Sequence, residues 1–282
     1  MQQTTPLFYF SGTGNTWWAS QYLADCLQAQ GVCAQAFSIE QITPETVNNL
    51  IAQANMIGLG FPIYGSDAPR IVKDFIHQLP HLKTDKPMIG YVTQMVWSGD
   101  GCNFLDKKLA AKGYRLKWSI ECNLPNNMAL PVFPLPYCAD YASFSSQLSR
   151  CAAQLEDFAK CIAASKPYRQ HHTIMHKLSA WIQRGPFRLV HDWAARQWSV
   201  DHPACTQCGR CVRICPVHNI SLADGYPLHG HDCVFCMRCF NYCPTFAVHY
   251  AGMGNHRLQE KPPYQGPVPE FKPEMISCQT QN

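Results

Sequence analysis

Phe10–Thr16, with the sequence FSGTGNT, follows the apolar run LFYF at residues 7–10 and precedes a helix-like segment. A strand, a tight turn and a helix start gather backbone N–H groups and hydroxyls at one point, and helix N-termini favour anions. The stretch contains neither lysine nor arginine. It therefore predicts an anion site built from neutral donors. The alternative is a capped helix start without a ligand.

The rest of the first half alternates between strand-like and helix-like runs. Strands are predicted at Leu7–Phe10, Cys33–Ser38, Met56–Phe61, Met88–Thr93 and Leu116–Cys122. Helices are predicted at Thr16–Gln30, Pro44–Ala54, Arg70–Leu79, Cys102–Lys112 and Ser143–Ser165. This alternation predicts an α/β fold with a five-stranded parallel sheet and helices on both faces.

Cysteine usage separates the second half from the first, since eight of the 16 cysteines fall into two short runs. CTQCGRCVRICP begins at Cys205 and CVFCMRCFNYCP begins at Cys233, so the second run repeats the first at an offset of 28 residues. In a long chain without an export signal, such runs indicate metal binding rather than disulfides. The remaining cysteines are Cys26, Cys33, Cys102, Cys122, Cys138, Cys151, Cys161 and Cys278.

Each repeat has the pattern C-x-x-C-x-x-C-x-x-x-C-P. Three thiolates at intervals of three suit one iron–sulfur cube, and the fourth points toward the neighbouring cube. Zinc, which prefers separated cysteine pairs, is the alternative. The pattern resembles two-cluster bacterial ferredoxins, which implies a small α+β domain with two [4Fe–4S] clusters. By position, one cluster takes Cys205, Cys208, Cys211 and Cys243, and the other takes Cys215, Cys233, Cys236 and Cys239.

The glycine turn matches neither a Walker loop nor a dinucleotide fingerprint. It resembles the FMN phosphate loop of flavodoxins, in which loop amides and hydroxyls hold the phosphate. The residues implied are Ser11, Gly12, Thr13, Gly14, Asn15 and Thr16. Because the loop contains no cation, we expect the phosphate charge to disfavour further negative charge on the flavin.

The loops after the third and fourth strands extend this resemblance, because flavodoxins flank the isoalloxazine with them. The loops are FPIYGSDAP at Phe61–Pro69 and TQMVWSGDG at Thr93–Gly101. The implied FMN contacts are Pro62, Ile63, Tyr64, Gly65, Thr93, Trp97, Ser98, Gly99 and Gly101. Tyr64 and Trp97 are the candidate stacking aromatics, with ordinary packing as the alternative for each. Asn123–Met128 closes the same edge of the predicted sheet.

Together the two halves resemble fused flavodoxin–ferredoxin proteins, which implies electron transfer. The predicted division is an FMN domain at 1–165, a helical brace at 166–200, a two-cluster domain at 201–252 and a polar, proline-rich tail at 253–282.

The brace is basic and aromatic. Its only acidic residue is Asp192. Its basic residues are Lys166, Arg169, Lys177, Arg184, Arg188 and Arg196, and its aromatic residues include Trp181, Phe187, Trp193 and Trp198. Gly185-Pro186 predicts a break into two helices. We expect the aromatics to pack against both domains. The alternative, not favoured here, is contact with a membrane surface or an acidic partner.

The expected function is an FMN- and iron–sulfur-dependent oxidoreductase whose flavin acts on a small molecule; the alternative is an electron relay between protein partners. We expect electrons to pass from a low-potential protein through an outer and an inner cluster to FMN, and the spacing does not specify which cluster is inner. Nucleic-acid binding is not expected, because the net charge is +4 and no motif is present. Neither a signal peptide nor a transmembrane segment is evident, so a cytoplasmic location is expected.

Cys102 follows Gly101 at the start of a predicted helix. A thiol at a helix N-terminus has a lowered pKa and is reactive, so one hypothesis places a reactive thiol beside the flavin. The alternative is a buried, inert cysteine.

Overall fold

The computed structural model describes residues 3–128, 141–170, 172–253 and 263–278; Cys138 and the tail residues 254–262 and 279–282 lie outside these ranges. The strands are β1 Thr5–Tyr9, β2 Ala34–Ser38, β3 Ile57–Pro62, β4 Lys86–Gln94, β5 Tyr114–Asn123, β6 Tyr168–Arg169, β7 Trp198–Val200, β8 Ile220–Ala223, β9 Tyr226–His229 and β10 Val248–Tyr250. The helices are α1 Asn15–Ala29, α2 Pro44–Gln53, α3 Arg70–Gln78, α4 Asp106–Ala110, α5 Tyr141–Ala163, α6 Ile174–Ala195, α7 Arg210–Arg213 and α8 Arg238–Asn241. Short 3₁₀ turns lie at Asn103–Leu105 and Pro273–Met275.

The first six strands form one parallel sheet in the order β2-β1-β3-β4-β5-β6. The first five follow the flavodoxin-like order 2-1-3-4-5. The predicted α/β class and parallel sheet are confirmed, but the strand count of five is one too low. The chain after α5 returns to the sheet edge, where Trp118 Nε1 donates to the carbonyl of Lys166 at 2.8 Å and Trp118 pairs with Tyr168.

Helices cover both faces of the sheet, and the central strands β1 and β3 are therefore buried on both sides. On one face α2, α3 and the turn before α4 pack with Val47, Val72 and Leu105. On the other face α1 and α5 pack with Leu23 and Leu155. This arrangement leaves the carboxyl ends of the strands free to carry a site.

Helix α6 is one continuous helix, so the predicted break at Gly185-Pro186 is wrong. Proline removes one backbone donor from a helix, which costs about 3 kcal/mol unless other contacts compensate. Contacts on either side of the proline hold the helix here. Arg184 Nε donates to the carbonyl of Ser66 at 2.7 Å, and Arg188 Nε donates to Asp67 Oδ2 at 2.6 Å.

The predicted packing of the brace aromatics is right for Phe187 and Trp198 and wrong for the other two. Phe187 lies 6.5 Å from Phe235, ring centre to ring centre, and Trp198 is buried. Trp181 and Trp193 are 73% and 65% exposed, because they lie on the outer side of a helix that buries its opposite face. Within the described ranges, no helix is long and apolar enough to cross a membrane.

The cysteine-rich region is built from two copies of one small unit. Helices α7 and α8 follow the left-handed residues Gly209 (φ 67°) and Met237 (φ 66°), and β8 and β10 begin at Ile220 and Val248. Each pair is separated by the 28-residue offset of the sequence repeat. The repeat in the sequence is therefore a repeat in structure.

The chain segment 263–278 packs back across the molecule. Tyr264 is buried and its hydroxyl donates to Asn15 Oδ1 at the start of α1. Ser38 Oγ donates to the carbonyl of Ile276 at 3.0 Å, which fastens the segment to the end of β2. This segment thus supports the loop that follows β1.

Candidate functional site

A cavity of about 420 Å³ lies at the carboxyl ends of β1, β3, β4 and β5. This volume is within the range of small-molecule sites in proteins. Eleven of the fifteen residues predicted to contact FMN line it. They are Ser11, Gly12, Thr13, Asn15, Thr16, Pro62, Ile63, Tyr64, Gly65, Thr93 and Trp97. The structure thus brings three separate predicted loops to one cavity.

The hydroxyls of the first loop are buried and oriented by internal hydrogen bonds. The backbone N–H of Gly14 donates to Ser11 Oγ at 3.2 Å, and Asn127 Nδ2 donates to Thr13 Oγ1 at 2.8 Å. Thr16 Oγ1 and Thr93 Oγ1 lie 2.8 Å apart. Because Ser11 and Thr13 accept these bonds, each hydroxyl keeps its own proton to donate to an anion.

Four predicted contact residues do not line the cavity: Gly14, Ser98, Gly99 and Gly101. Gly14 has φ 103° and precedes the first residue of α1. Gly99 has φ 81°, and a Cβ there would lie 2.5 Å from Cβ of Ala180 in α6. Ser98 Oγ accepts from the N–H of Gly101 at 3.0 Å. These residues shape the loops and let α6 approach them.

The two candidate stacking aromatics have different surroundings. Trp97 lines the cavity, but its ring stacks on His176 at 4.7 Å and its Nε1 donates to Ser179 Oγ at 2.9 Å. The hydroxyl of Tyr64 is buried without a hydrogen-bond partner among the described residues. Burial holds the pKa of Tyr64 well above its usual value, so this hydroxyl is a neutral donor. The Tyr64 hydroxyl lies beside the carbonyl of Cys236, against Gly12 of the glycine turn, so the ring rather than the hydroxyl belongs to the cavity wall.

A buried cation lies behind the glycine turn, although the turn itself has none. Arg238 donates from Nη2 to the carbonyl of Ser11 at 2.7 Å and from Nε to the carbonyl of Gly12 at 2.8 Å. Its charge is matched by Glu40, whose two oxygens accept from the guanidinium at 2.5 and 2.8 Å. The prediction of a loop without a neighbouring cation is therefore wrong, but the Arg238–Glu40 pair is neutral overall.

Arg238 also reaches the cysteine repeats. It lies between Met237 and Cys239 in the chain, and its Nη1 donates to the carbonyl of Ile214, next to Cys215, at 3.1 Å. Burial raises the pKa of Glu40, and the guanidinium opposes that shift. One fully buried side chain thus ties the glycine turn to both repeats.

The second predicted ligand set surrounds one small cavity, which Cys215, Cys233, Cys236 and Cys239 all line. In the first set, burial raises the pKa of Cys211 to about 11, and its neighbours Cys243, Cys208 and Cys205 add to this shift. The structure thus places the members of each predicted set near one another, and their assignment as cluster ligands remains a prediction. Among the described residues, no three His, Cys, Asp or Glu side chains lie close enough to hold a single metal ion.

The two repeats form equivalent hydrogen bonds, both within each repeat and from one repeat to the other. Cys215 Sγ accepts from the N–H of Asn219, and Cys243 Sγ accepts from the N–H of Ala247, both at 3.2 Å. Arg210 of the first repeat donates to the carbonyl of Tyr242 at 3.2 Å, just as Arg238 of the second donates to that of Ile214. Backbone N–H groups directed at sulfur favour thiolates, and such bonds tune iron–sulfur clusters.

The second cysteine set and the large cavity share a wall. Phe235, between Cys233 and Cys236, lines the cavity. The carbonyl of Cys236 and the hydroxyl of Tyr64 would each lie 2.7 Å from a Cβ added to Gly12. The two repeats are therefore not equivalent. The second cysteine set adjoins the glycine turn, whereas Cys208 of the first set is exposed.

Helix α6 contributes a wall of the cavity that the sequence does not predict. Gln183, Phe187, Val190, His191 and Ala194 of α6 line it, together with Tyr250. No local motif marks these residues, because their role depends on where α6 crosses the sheet edge.

Two further residues were missed near the cysteines. Arg238 had a signal, since arginine also stands at the equivalent position 210 of the first repeat. His229 lines the small cavity, and burial lowers its pKa to about 4, so its imidazole is neutral.

The hypothesis of a reactive Cys102 is wrong. This thiol is 4% exposed and packs under the sheet, where its Sγ would meet a Cβ on Gly90 at 2.7 Å. Burial raises its pKa to about 12. The residue precedes a 3₁₀ turn rather than an α-helix, so no long helix end stabilises a thiolate there.

We therefore expect Cys102 to resist alkylation at neutral pH, with or without FMN, because the thiolate is scarce and shielded. Mass spectrometry after iodoacetamide treatment of the folded chain measures this. Exposed Cys278 is the control and should be labelled. Labelling of Cys102 at the rate of Cys278 would contradict the burial.

Comparison with known proteins supports the architecture. Residues 204–247 match Fer4_7, the family of 4Fe-4S dicluster domains. A diflavin flavoprotein (A 6) of Nostoc sp. is 27% identical over 129 residues, which is 45% of this chain and 23% of the relative. A diflavin flavoprotein (A 2) of Thermosynechococcus vestitus is 28% identical over 110 residues, 39% of this chain and 19% of the relative. The chain spans less than a quarter of the length of these relatives.

Among solved structures, rubredoxin oxygen:oxidoreductase from the anaerobe Desulfovibrio gigas aligns with a TM-score of 0.44 at 16% identity, over 58% of this chain and 36% of that one. A Streptococcus pneumoniae flavodoxin aligns with a TM-score of 0.40 at 17% identity, over 57% of this chain and 98% of that one.

The order of strands in the sheet and the dicluster match together confirm the predicted arrangement. A flavodoxin-like sheet is followed in the same chain by a 4Fe-4S dicluster region.

Proposed function

We propose that the chain is an electron-transfer oxidoreductase that binds FMN in the 420 Å³ cavity and two [4Fe–4S] clusters at its cysteine repeats. The observation that carries this proposal is the shared wall: Phe235 lines the cavity and Cys236 lies against Gly12. We also propose that the units 1–165, 166–200, 201–252 and 253–282 correspond to the FMN domain, brace, cluster domain and tail. Bound FMN supplies one- and two-electron chemistry, and the clusters supply one-electron chemistry.

The first loop is proposed to hold the phosphate through neutral donors. Ser11 and Thr13 each have a hydroxyl proton free for an acceptor, because their lone pairs are engaged by Gly14 and Asn127. The start of α1 adds the partial positive charge of a helix N-terminus. Arg238 binds the carbonyls of Ser11 and Gly12 on the far side of this loop and so holds the backbone of the turn in place.

Helix α6 is proposed to shield the flavin from water. Phe187 and Val190 give the cavity an apolar wall on this side, and Gln183 and His191 add polar groups. Gln183 is oriented by Ser66, whose hydroxyl donates to its Oε1 at 2.9 Å. A wall of this kind is expected to favour burial of the planar ring while leaving groups that can meet its polar edge.

Cys215, Cys233, Cys236 and Cys239 are proposed as the inner ligand set, because they adjoin the cavity wall. Cys205, Cys208, Cys211 and Cys243 are proposed as the outer set. The exposure of Cys208 suits electron exchange with a low-potential donor or acceptor protein. This assignment supplies the order that the spacing of the sequence leaves open.

Two uses of the flavin remain as candidates, a small-molecule reaction and a relay between proteins. The cavity favours the first, because the apolar Val96 and Trp97 at its rim are exposed and leave it an opening. Anaerobic reduction of the loaded protein, followed by a screen for small oxidants that restore the flavin spectrum, tests this. Reoxidation by proteins alone would favour the relay.

Replacing Thr13 or Thr16 by valine is expected to weaken FMN binding about fivefold to tenfold, because each change removes one phosphate donor. Iron content should not change. Flavin fluorescence titration of each variant measures the affinity.

Thr84→Val is the matched control, since Thr84 is exposed and lies outside the cavity. Its affinity should equal that of the unchanged chain. If both loop variants bind FMN as tightly as the unchanged chain, the proposal that this loop holds the phosphate is wrong.

A further inference from the structure

The outer face of α6 is apolar and exposed. The outer stripe, as we name it, comprises Ile174, Leu178, Trp181, Ile182, Leu189 and Trp193. Apart from the adjacent pair Trp181 and Ile182, their successive spacings are three, four or seven residues, which puts the six on one side of a helix. Leu189 is 85% exposed and Trp181 73%, so these are among the most exposed large apolar side chains of the molecule.

The inner face of the same helix is fully used. Ala180 and Ala195 are completely buried, and Arg184 and Phe187 contact the loops after β3 and β4 or the cysteine region. The outer stripe has no such cover among the residues that the structure describes. Contiguous apolar patches of this kind on soluble domains mark interaction surfaces.

The charge around the outer stripe is positive on balance, because Lys177 and Arg196 outnumber Asp192, whose side chain is 90% exposed on the same side of the helix as Leu189. Lys177 and Arg196 are exposed, and neither forms an ion pair within the described part of the chain. Asp192 is the only acidic residue in the sequence of segment 166–200. Lysine and arginine beside a stripe of tryptophan and leucine are the composition of helices that lie in the plane of anionic membranes.

We propose that α6 lies flat on an anionic membrane surface, with the outer stripe inserted among the lipids and Lys177 and Arg196 at the headgroups. Trp181 and Trp193 then occupy the interfacial depth that indole rings prefer. A second copy of this chain is a poorer occupant, because a twofold contact would bring Lys177 and Arg196 of one copy against the same cations of the other. This proposal is independent of the cofactors.

The test is cosedimentation of the anaerobically purified full chain with lipid vesicles. We expect binding to phosphatidylcholine vesicles containing about 30% phosphatidylglycerol, weaker binding without the anionic lipid, and weakening by salt. Leu189→Ser should lower the partition coefficient about tenfold, because it removes one inserted apolar side chain. Lys177→Gln should lower it about fivefold.

Matched controls are Leu228→Ser and Lys107→Gln, which change exposed residues outside α6. Neither should alter vesicle binding, and all variants should keep the circular dichroism and iron content of the unchanged chain. The proposal is overturned if the unchanged chain binds neither the anionic nor the neutral vesicles. It is equally overturned if Leu228→Ser weakens binding as much as Leu189→Ser does. It is also overturned if the chain forms a dimer that Leu189→Ser dissociates and binds no vesicle.

Discussion

Cys236→Ala is expected to stop the reduction of bound FMN by a reduced ferredoxin-type donor protein, while dithionite should still reduce the flavin. Cys236 is a proposed ligand of the inner set and its carbonyl adjoins Gly12 of the phosphate loop. The change removes one of the four proposed ligands of this cluster. Dithionite is small and reaches the flavin directly. Anaerobic stopped-flow absorbance at the flavin band measures both reactions.

Cys208→Ala, in the outer set, should likewise stop reduction of FMN by the donor protein, because electrons are proposed to pass through both clusters in turn. Cys151→Ala is the control, because Cys151 is a buried cysteine beneath the sheet and outside both repeats. It should leave both reactions unchanged. If the donor still reduces the flavin after both sets are lost, electrons enter the flavin directly and the repeats serve another partner.

Replacing Arg238 by methionine is expected to destabilise the folded chain by about 3–5 kcal/mol, the cost typical of breaking a buried ion pair. The side chains of Arg238 and Glu40 are 0% and 1% exposed. The change leaves the Glu40 carboxylate buried without its partner and frees the carbonyls of Ser11 and Gly12. We therefore expect weaker FMN binding as well. Anaerobic urea unfolding, followed by circular dichroism, gives the stability.

Arg210→Met is the matched control, because Arg210 occupies the same position in the first repeat and pairs with half-exposed Glu274. It should cost less than about 1 kcal/mol, as exposed ion pairs do. Adding Glu40→Gln to the Arg238→Met change should recover part of the loss, because it removes the unpaired charge. Equal stability of the Arg238 and Arg210 variants would contradict a structural role for the buried pair.

Local patterns were sufficient to predict most of the sheet domain. Each of the first five strands was placed within three residues at either end, because apolar runs and glycine turns mark them. The sixth strand was missed, since Tyr168–Arg169 is too short to carry a pattern. It forms because the chain after α5 passes the exposed edge of β5.

The brace shows why long-range contacts limit such predictions. A glycine and a proline in sequence indicate a break, yet α6 continues because Arg184 and Arg188 are held by the loop at Ser66 and Asp67. The same crossing brings Phe187 and His191 into the cavity. Neither outcome is encoded within the segment itself, since both depend on loops more than a hundred residues away.

The candidate site divides in the same way. Hydroxyls and glycines of the first loop were predictable because the turn itself needs them, and the cysteine sets were predictable from their spacing. Arg238 was not identified from the sequence, because its partners Ser11 and Glu40 lie about two hundred residues away. The repeated arginine at 210 and 238 is the sequence feature that marks it.

The pairing of FMN with two iron–sulfur clusters in one chain is what we propose. Its most direct test is the cofactor content of the anaerobically purified or reconstituted chain, measured as flavin, iron and acid-labile sulfide per polypeptide. We predict one FMN with about eight iron and eight sulfide, and loss of iron before flavin on mutation of a cluster cysteine. About four iron, zinc in place of iron, or a chain that binds clusters but no flavin would contradict it.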